Sequence, residues 1–142
     1  MYYIGGIEMA KRRLGFGIIG CGMIAEYHVS ALEDLHDKAK IIGVADPVRD
    51  SAERLAGRHG LKVFDSTEAL LNSKDVDVVC ICTPSGDHAE NIIAASNAGK
   101  NVVVEKPMAI TKEQLDAINE CCRKNGTVLS VISQIRFARD IR

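Results

Sequence analysis

Apolar and polar positions along this chain switch between two periods, and the switching sets out its elements. Residues 14–20 (LGFGIIG) form a short apolar run ending on glycine, which reads as a first strand. Over residues 24–35, Ile24, Ala25, His28, Val29, Leu32 and Leu35 recur three and four apart, the inward face of an amphipathic helix. His28 falls inside that apolar stripe and reads as a packing residue. Residues 40–45 (KIIGVA) predict a second strand, closed by Asp46-Pro47. A helix over 50–59 follows, with Ala52, Leu55 and Ala56 on one face and Gly60 as its stop. A short third strand is expected at 62–64. Ser66 and Thr67 are N-cap candidates for a brief helix over 68–71. Residues 76–82 (VDVVCIC) become continuously apolar towards their end, as a strand buried on both faces should. The next helix opens at Asp87 or His88, turns Ile92, Ile93 and Ala95 inward, and ends at Gly99. A fifth strand at 102–104 leads to a helix capped by Thr111, carrying Leu115, Ile118 and Cys122, and closed by Asn125-Gly126. Residues 128–132 complete a sixth strand. This alternation with short turns predicts an α/β fold, a doubly wound parallel sheet of about six strands in three layers, with helices on both faces.

Composition narrows the classes of function. The chain has 142 residues, enough for one domain. Its net charge is −1 and its Lys and Arg residues are scattered, which argues against the basic face that a nucleic-acid partner requires. Aromatic residues make up 4% and Trp is absent, so no base-stacking platform is expected. No apolar run approaches the ~20 residues that span a membrane. The five cysteines are odd in number, four lie in apolar segments, and neither Cys80–Cys82 nor Cys121–Cys122 has zinc-site spacing. They read as reduced thiols of a cytoplasmic protein, with no metal implied. Near the start, Lys11, Arg12 and Arg13 come after the apolar residues, the reverse of a secretion signal. Residues 1–13 are expected to be a partly disordered leader, with Met9 as a second start and residues 1–8 dispensable.

The chemistry begins at Gly20-Cys21-Gly22-Met23-Ile24-Ala25, a G-x-G-x-x-A turn between a predicted strand and a predicted helix. That context makes it a dinucleotide fingerprint of the Rossmann type. Gly20 permits the tight turn, Gly22 lets the backbone approach a pyrophosphate, and Ala25 lets the helix pack close to the strand. Free N–H groups at the helix start would meet the phosphates. Asp46, at the end of the second strand, is placed to accept both ribose hydroxyls of adenosine and to repel a 2′-phosphate. That favours NAD. Arg49, three residues on, would offset the repulsion and leave NADP open. Asp46 also has the plainer reading of a turn carboxylate before Pro47, and Arg49 that of a solvated helix residue.

Thr83-Pro84-Ser85-Gly86-Asp87-His88, Ala98-Gly99-Lys100 and Glu105-Lys106-Pro107-Met108-Ala109 carry a resemblance. Together with the glycine turn they resemble the signature of the Gfo/Idh/MocA oxidoreductases, over nearly all of residues 14–137. The resemblance implies hydride transfer between a nicotinamide cofactor and a hydroxyl carbon of a sugar, sugar nucleotide or cyclitol. It implies that Thr83, Pro84 and Ser85 line the cofactor crevice and that His88 lies near it. It further implies that Glu105 approaches the nicotinamide ribose and that Lys106 is the catalytic-site lysine. Ser85 stands where the family commonly has asparagine. Read without the resemblance, His88 is a helix-start residue, Glu105 a strand-end carboxylate with a neighbour, and Lys106 a surface lysine.

Residues 14–133 are thus expected to form the NAD-binding domain, and 134–142 the start of a crossover into a second α/β domain. Gln134-Ile135-Arg136-Phe137 resembles that crossover, and no Asp-x-x-x-His segment of the kind the family carries there follows it. Two readings result. One is the cofactor-holding half of an NAD-dependent dehydrogenase, incomplete for catalysis alone. The other is a stand-alone NAD-binding module or sensor subunit. Its expected partners are NAD(H) and a polyol-like substrate, with a homo-oligomer joined by apolar surface near the last strand.

Overall fold

Successive side chains of a strand leave on opposite faces, and this chain has apolar pairs to supply both. In the computed structural model, which describes residues 12–137, β1 (Leu14–Ile19) sends Ile18 to one face and Ile19 to the other. β2 (Ala39–Ala45) divides Val44 and Ala45 in the same way, and β3 (Val78–Ile81) divides Cys80 from Val79 and Ile81. The Ile18 face is covered by α1 (Met23–Asp34) and α2 (Arg49–His59) through Ala25, Val29, Leu32, Ala52, Leu55 and Ala56. The Ile19 face is covered by α3 (Thr67–Leu71), α4 (His88–Asn97) and α5 (Lys112–Asn125), which bring Leu70, Ile92, Ala95 and Ile118. Two cores on one sheet make the three layers expected.

The sheet is all parallel, in the order β2-β1-β3-β4-β5, with β4 at Asn101–Val104 and β5 at Leu129–Val131. It has five strands where the pattern predicts six. The third predicted strand is reduced to one parallel bridge, Val63 on Val44, outside β2. Val44 gives its N–H to Lys62 and accepts that of Phe64. The chain then turns at once so that the Ser66 hydroxyl caps α3 by accepting the Ala69 N–H. Thr111 caps α5 likewise, and Gly60, Gly99 and Gly126 end their helices at positive φ. Only Ile118 of α5 is buried; Leu115, expected inward, is exposed. No helix among the described residues is long and apolar enough to cross a membrane. Gln134–Phe137 form a short 3-10 turn. The expected leader and tail lie, over 1–11 and 138–142, outside the described residues.

The two helices on the Ile18 face are also tied by charge. Glu26 of α1 pairs with Arg58 at 2.6 Å and with His59 Nε2 at 2.9 Å, while His59 Nδ1 meets Glu33 at 3.1 Å. The Glu26 hydrogen bond outweighs the opposing effect of burial and Glu33 adds to it, so the imidazole is held above its usual 6.5. A group bound more tightly to its proton when folded stabilises the fold fully below the unfolded value, and that stability fades as pH rises through the folded value. Melting temperature should therefore fall from about pH 6 to about pH 8, and His59→Gln should flatten that slope. A slope unchanged in the variant rejects the linkage. Ile118→Ala, removing the one buried anchor of α5, should cost about 2–5 kcal/mol in urea unfolding.

Candidate functional site

From β1 the chain moves outward to β2, and it resumes at β3 on the other side of β1. Loops leaving β1 and β3 therefore diverge, and such a switch point opens the crevice in which α/β sheets bind ligands. Gly20, Asp46, Thr83 and Glu105 follow the ends of β1, β2, β3 and β4 around it.

The two glycines of the turn do different work. Gly20 sits at φ 87, and a Cβ there would lie 2.7 Å from both the Cys82 carbonyl carbon and the Thr83 nitrogen. The fold itself excludes a side chain. Gly22 has an extended backbone, φ −76, and a Cβ would meet no atom within 4 Å. Nothing among the described residues requires glycine at 22; the open space in front of it is available to a ligand. Gly22 starts α1 without a side-chain cap, so the first-turn N–H groups and the positive dipole end face that space. Met23 and Ile24 are exposed beside it, and Ala25 is fully buried beneath.

Cys21 is buried, with its N–H donated to Asp46 Oδ2 at 2.7 Å and its thiol 3.7 Å from the Ala45 carbonyl. Burial, helped by the Asp46 charge, pushes that thiol up to about 12, and burial does the same to Cys80. Both stay protonated and unreactive at neutral pH. Cys21, expected beside a cofactor, has its N–H engaged by Asp46. Asp46 Oδ1 accepts the Val48 N–H at 2.7 Å. The carboxylate therefore holds the glycine turn to the end of β2, and each oxygen keeps a further lone pair. Arg49 is held by two acids, Glu53 at 2.7 Å and Asp65 at 3.0 Å.

Asp46, Arg49 and Thr83 come together on a cavity of about 810 Å³, with Asp65, Asp87 and Asn91. The Thr83 hydroxyl is buried and has no hydrogen-bond partner among the described residues. Buried hydroxyls are nearly always paired, and an orphan costs about 1–3 kcal/mol. Pro84 and Ser85 follow on an exposed 3-10 turn (Ser85–Asp87) and do not line this cavity.

His88 stands at the start of α4 beside Thr83. It is 1% exposed, and its Nδ1 and Nε2 lie 2.7 and 2.8 Å from the carbonyls of Pro107 and Thr83. Neither nitrogen is left for a cofactor; the ring ties two loops together. Glu105 likewise has a partner, His28 Nε2 at 2.9 Å from its Oε1, both side chains largely buried. His28 is therefore more than a packing residue. The pair lines a groove of about 430 Å³ whose walls are mainly Ile24, Tyr27, Ala31 and Ile132. Lys106 is exposed, follows Glu105 through the start of a cis Lys106-Pro107 unit, and has no ion-pair partner among the described residues. Sequence reasoning missed His28, Glu53 and Asp65. For His28 a signal existed: an imidazole on an inward stripe needs a partner.

The family model described as "Oxidoreductase family, NAD-binding Rossmann fold" matches residues 14–133. D-glucoside 3-dehydrogenase of Escherichia coli is 33% identical over 93% of this chain and 38% of its own length. The NAD(+) scyllo-inositol 2-dehydrogenase of Bacillus subtilis is 32% identical over 86% of this chain and 35% of its own length. Among solved structures, the WlbA dehydrogenase of Bordetella pertussis in complex with NADH and UDP-GlcNAcA superposes with a TM-score of 0.86. It is 30% identical over 90% of this chain and 39% of that one. The chain thus spans little more than a third of the relatives it matches. With the fingerprint turn at the switch point and the match over residues 14–133, the chain belongs to the Gfo/Idh/MocA oxidoreductase family and carries its NAD-binding Rossmann fold.

Proposed function

We propose that this chain holds NAD along the carboxyl edge of its sheet and forms the cofactor side of a dehydrogenase active site. The substrate class is a hydroxyl carbon of a sugar, sugar nucleotide or cyclitol, in keeping with the named substrates of its relatives. The observation that carries the reading is the G-x-G-x-x-A turn at the switch point, where α1 starts without a side-chain cap and open space lies before Gly22. That space fits a ligand that approaches backbone, and Asp46, bonded to the same turn, also borders the cavity of about 810 Å³.

Each group then has work to do. The N–H groups at the start of α1 meet the pyrophosphate. Asp46 accepts the adenosine ribose hydroxyls with its remaining lone pairs while keeping Cys21 and Val48 in place. Arg49 pairs with Glu53 and Asp65 at the exposed surface, and such pairs are weak, so the Asp46 charge is what supports NAD over NADP. Glu105 takes the nicotinamide ribose, and Thr83 supplies a hydroxyl between the two ends. Bound nicotinamide supplies the hydride acceptor or donor. Lys106 Nζ faces the substrate hydroxyl, where its charge stabilises developing alkoxide and eases proton removal. We place this work in the cytoplasm.

Gly22→Val should abolish NADH binding yet cost only about 1 kcal/mol of stability, the loss of a favourable N-cap, because its side chain meets only open space. Gly20→Val should instead prevent folding. Wild-type NADH affinity in Gly22→Val, measured by NADH fluorescence, rejects the pyrophosphate role. Asp46→Asn removes the charge and keeps one of the two acceptors that hold Cys21 and Val48, so both affinities should fall and the readout is their ratio. Like charges about 4 Å apart repel by roughly 1–4 kcal/mol between bulk water and a protein surface, so the NADPH-to-NADH affinity ratio should rise roughly tenfold or more. An unchanged ratio in calorimetry rejects the ribose assignment.

A further inference from the structure

Lys106 lies between two fixed points. On one side His88 meets the Pro107 carbonyl at 2.7 Å. On the other His28 Nε2 meets Glu105 Oε1 at 2.9 Å. His28 comes from α1, the helix whose start is the open end behind Gly22. Its stripe gives no packing reason for imidazole, since Ala25, Val29 and Leu32 fill the core on that face. A polar ring there would cost stability if it were unpaired. Its partner is the one carboxylate on an otherwise largely apolar groove.

We infer that His28 is a positioning residue for the cofactor: it holds the Glu105 carboxylate in one orientation, with Oε1 occupied and Oε2 presented to the nicotinamide ribose. It thereby joins the helix that meets the phosphates to the segment that carries Lys106. A hydrogen bond from one ring nitrogen fixes a side chain that is otherwise free to rotate at the end of β4. The inference rests on the NAD site proposed above and concerns only its nicotinamide half.

The test compares two probes on the full chain, NADH by its fluorescence and ADP by calorimetry. ADP lacks the nicotinamide ribose, so a fault in Glu105 placement leaves it untouched. His28→Leu should bind ADP as the wild type does and NADH about tenfold more weakly or worse, as expected from losing a hydrogen bond to a charged group. His28→Gln, whose amide can donate to the same oxygen, should recover most of the loss. Where the leucine variant fails to fold, His28→Asn, polar yet too short to reach Oε1, reads the same ratio. An unchanged NADH-to-ADP ratio, equal weakening of both probes, or no recovery with glutamine overturns the positioning role. Wild-type protein that binds neither probe overturns the NAD site itself, and this inference with it.

Discussion

The turn after β1 rests directly on the peptide that follows β3. A Cβ on Gly20 would stand 2.7 Å from atoms of Cys82 and Thr83, so the contact exists only because residue 20 has no side chain and tolerates φ 87. The rest of the carboxyl edge follows from this approach. Gly20 donates to Ala45 and Cys82 donates to Ile19, which ties the ends of β2, β1 and β3 together. Cys21 is thereby brought within 2.7 Å of Asp46. Thr83 is pressed against the same turn, where its hydroxyl is buried before any ligand is considered. A wider turn would let water reach that hydroxyl and let the Asp46 carboxylate swing free of Cys21.

Much of this was legible in the sequence because it depends on local pattern. The two periods of the chain located every strand and helix that has a core face to bury. The failures come where a neighbour decides. Residues 62–64 have strand-like character, but only Val63 pairs before Ser66 is needed as a cap. Leu115 sits at helical spacing yet finds nothing to cover it. At the site, the glycine turn and Asp46 were readable from residue type and position. The tasks of the histidines were not. His28 meets a residue 77 positions away, and His88 meets backbone carbonyls that no residue type advertises. Arg49 shows the same limit: its basic charge is plain, but its neutralisation by Asp65 depends on where the bridge at Val63 delivers the chain.

The strand order also restricts what kind of ligand can use all of these groups together. Asp46, Gly20, Thr83 and Glu105 follow β2, β1, β3 and β4, which are consecutive neighbours in the sheet. Three strand spacings separate the first from the last, roughly 14 Å. A ligand touching both Asp46 and Glu105 must cover that span and can approach backbone where it passes Gly22. The two ends of that span carry carboxylates, one braced by backbone N–H groups and the other by an imidazole. Carboxylates suit hydroxyls and disfavour a further phosphate beside them. A long molecule with sugar hydroxyls towards both ends and a diphosphate at its middle satisfies all of these conditions. That description is of a dinucleotide, the class of ligand that the family's fold binds.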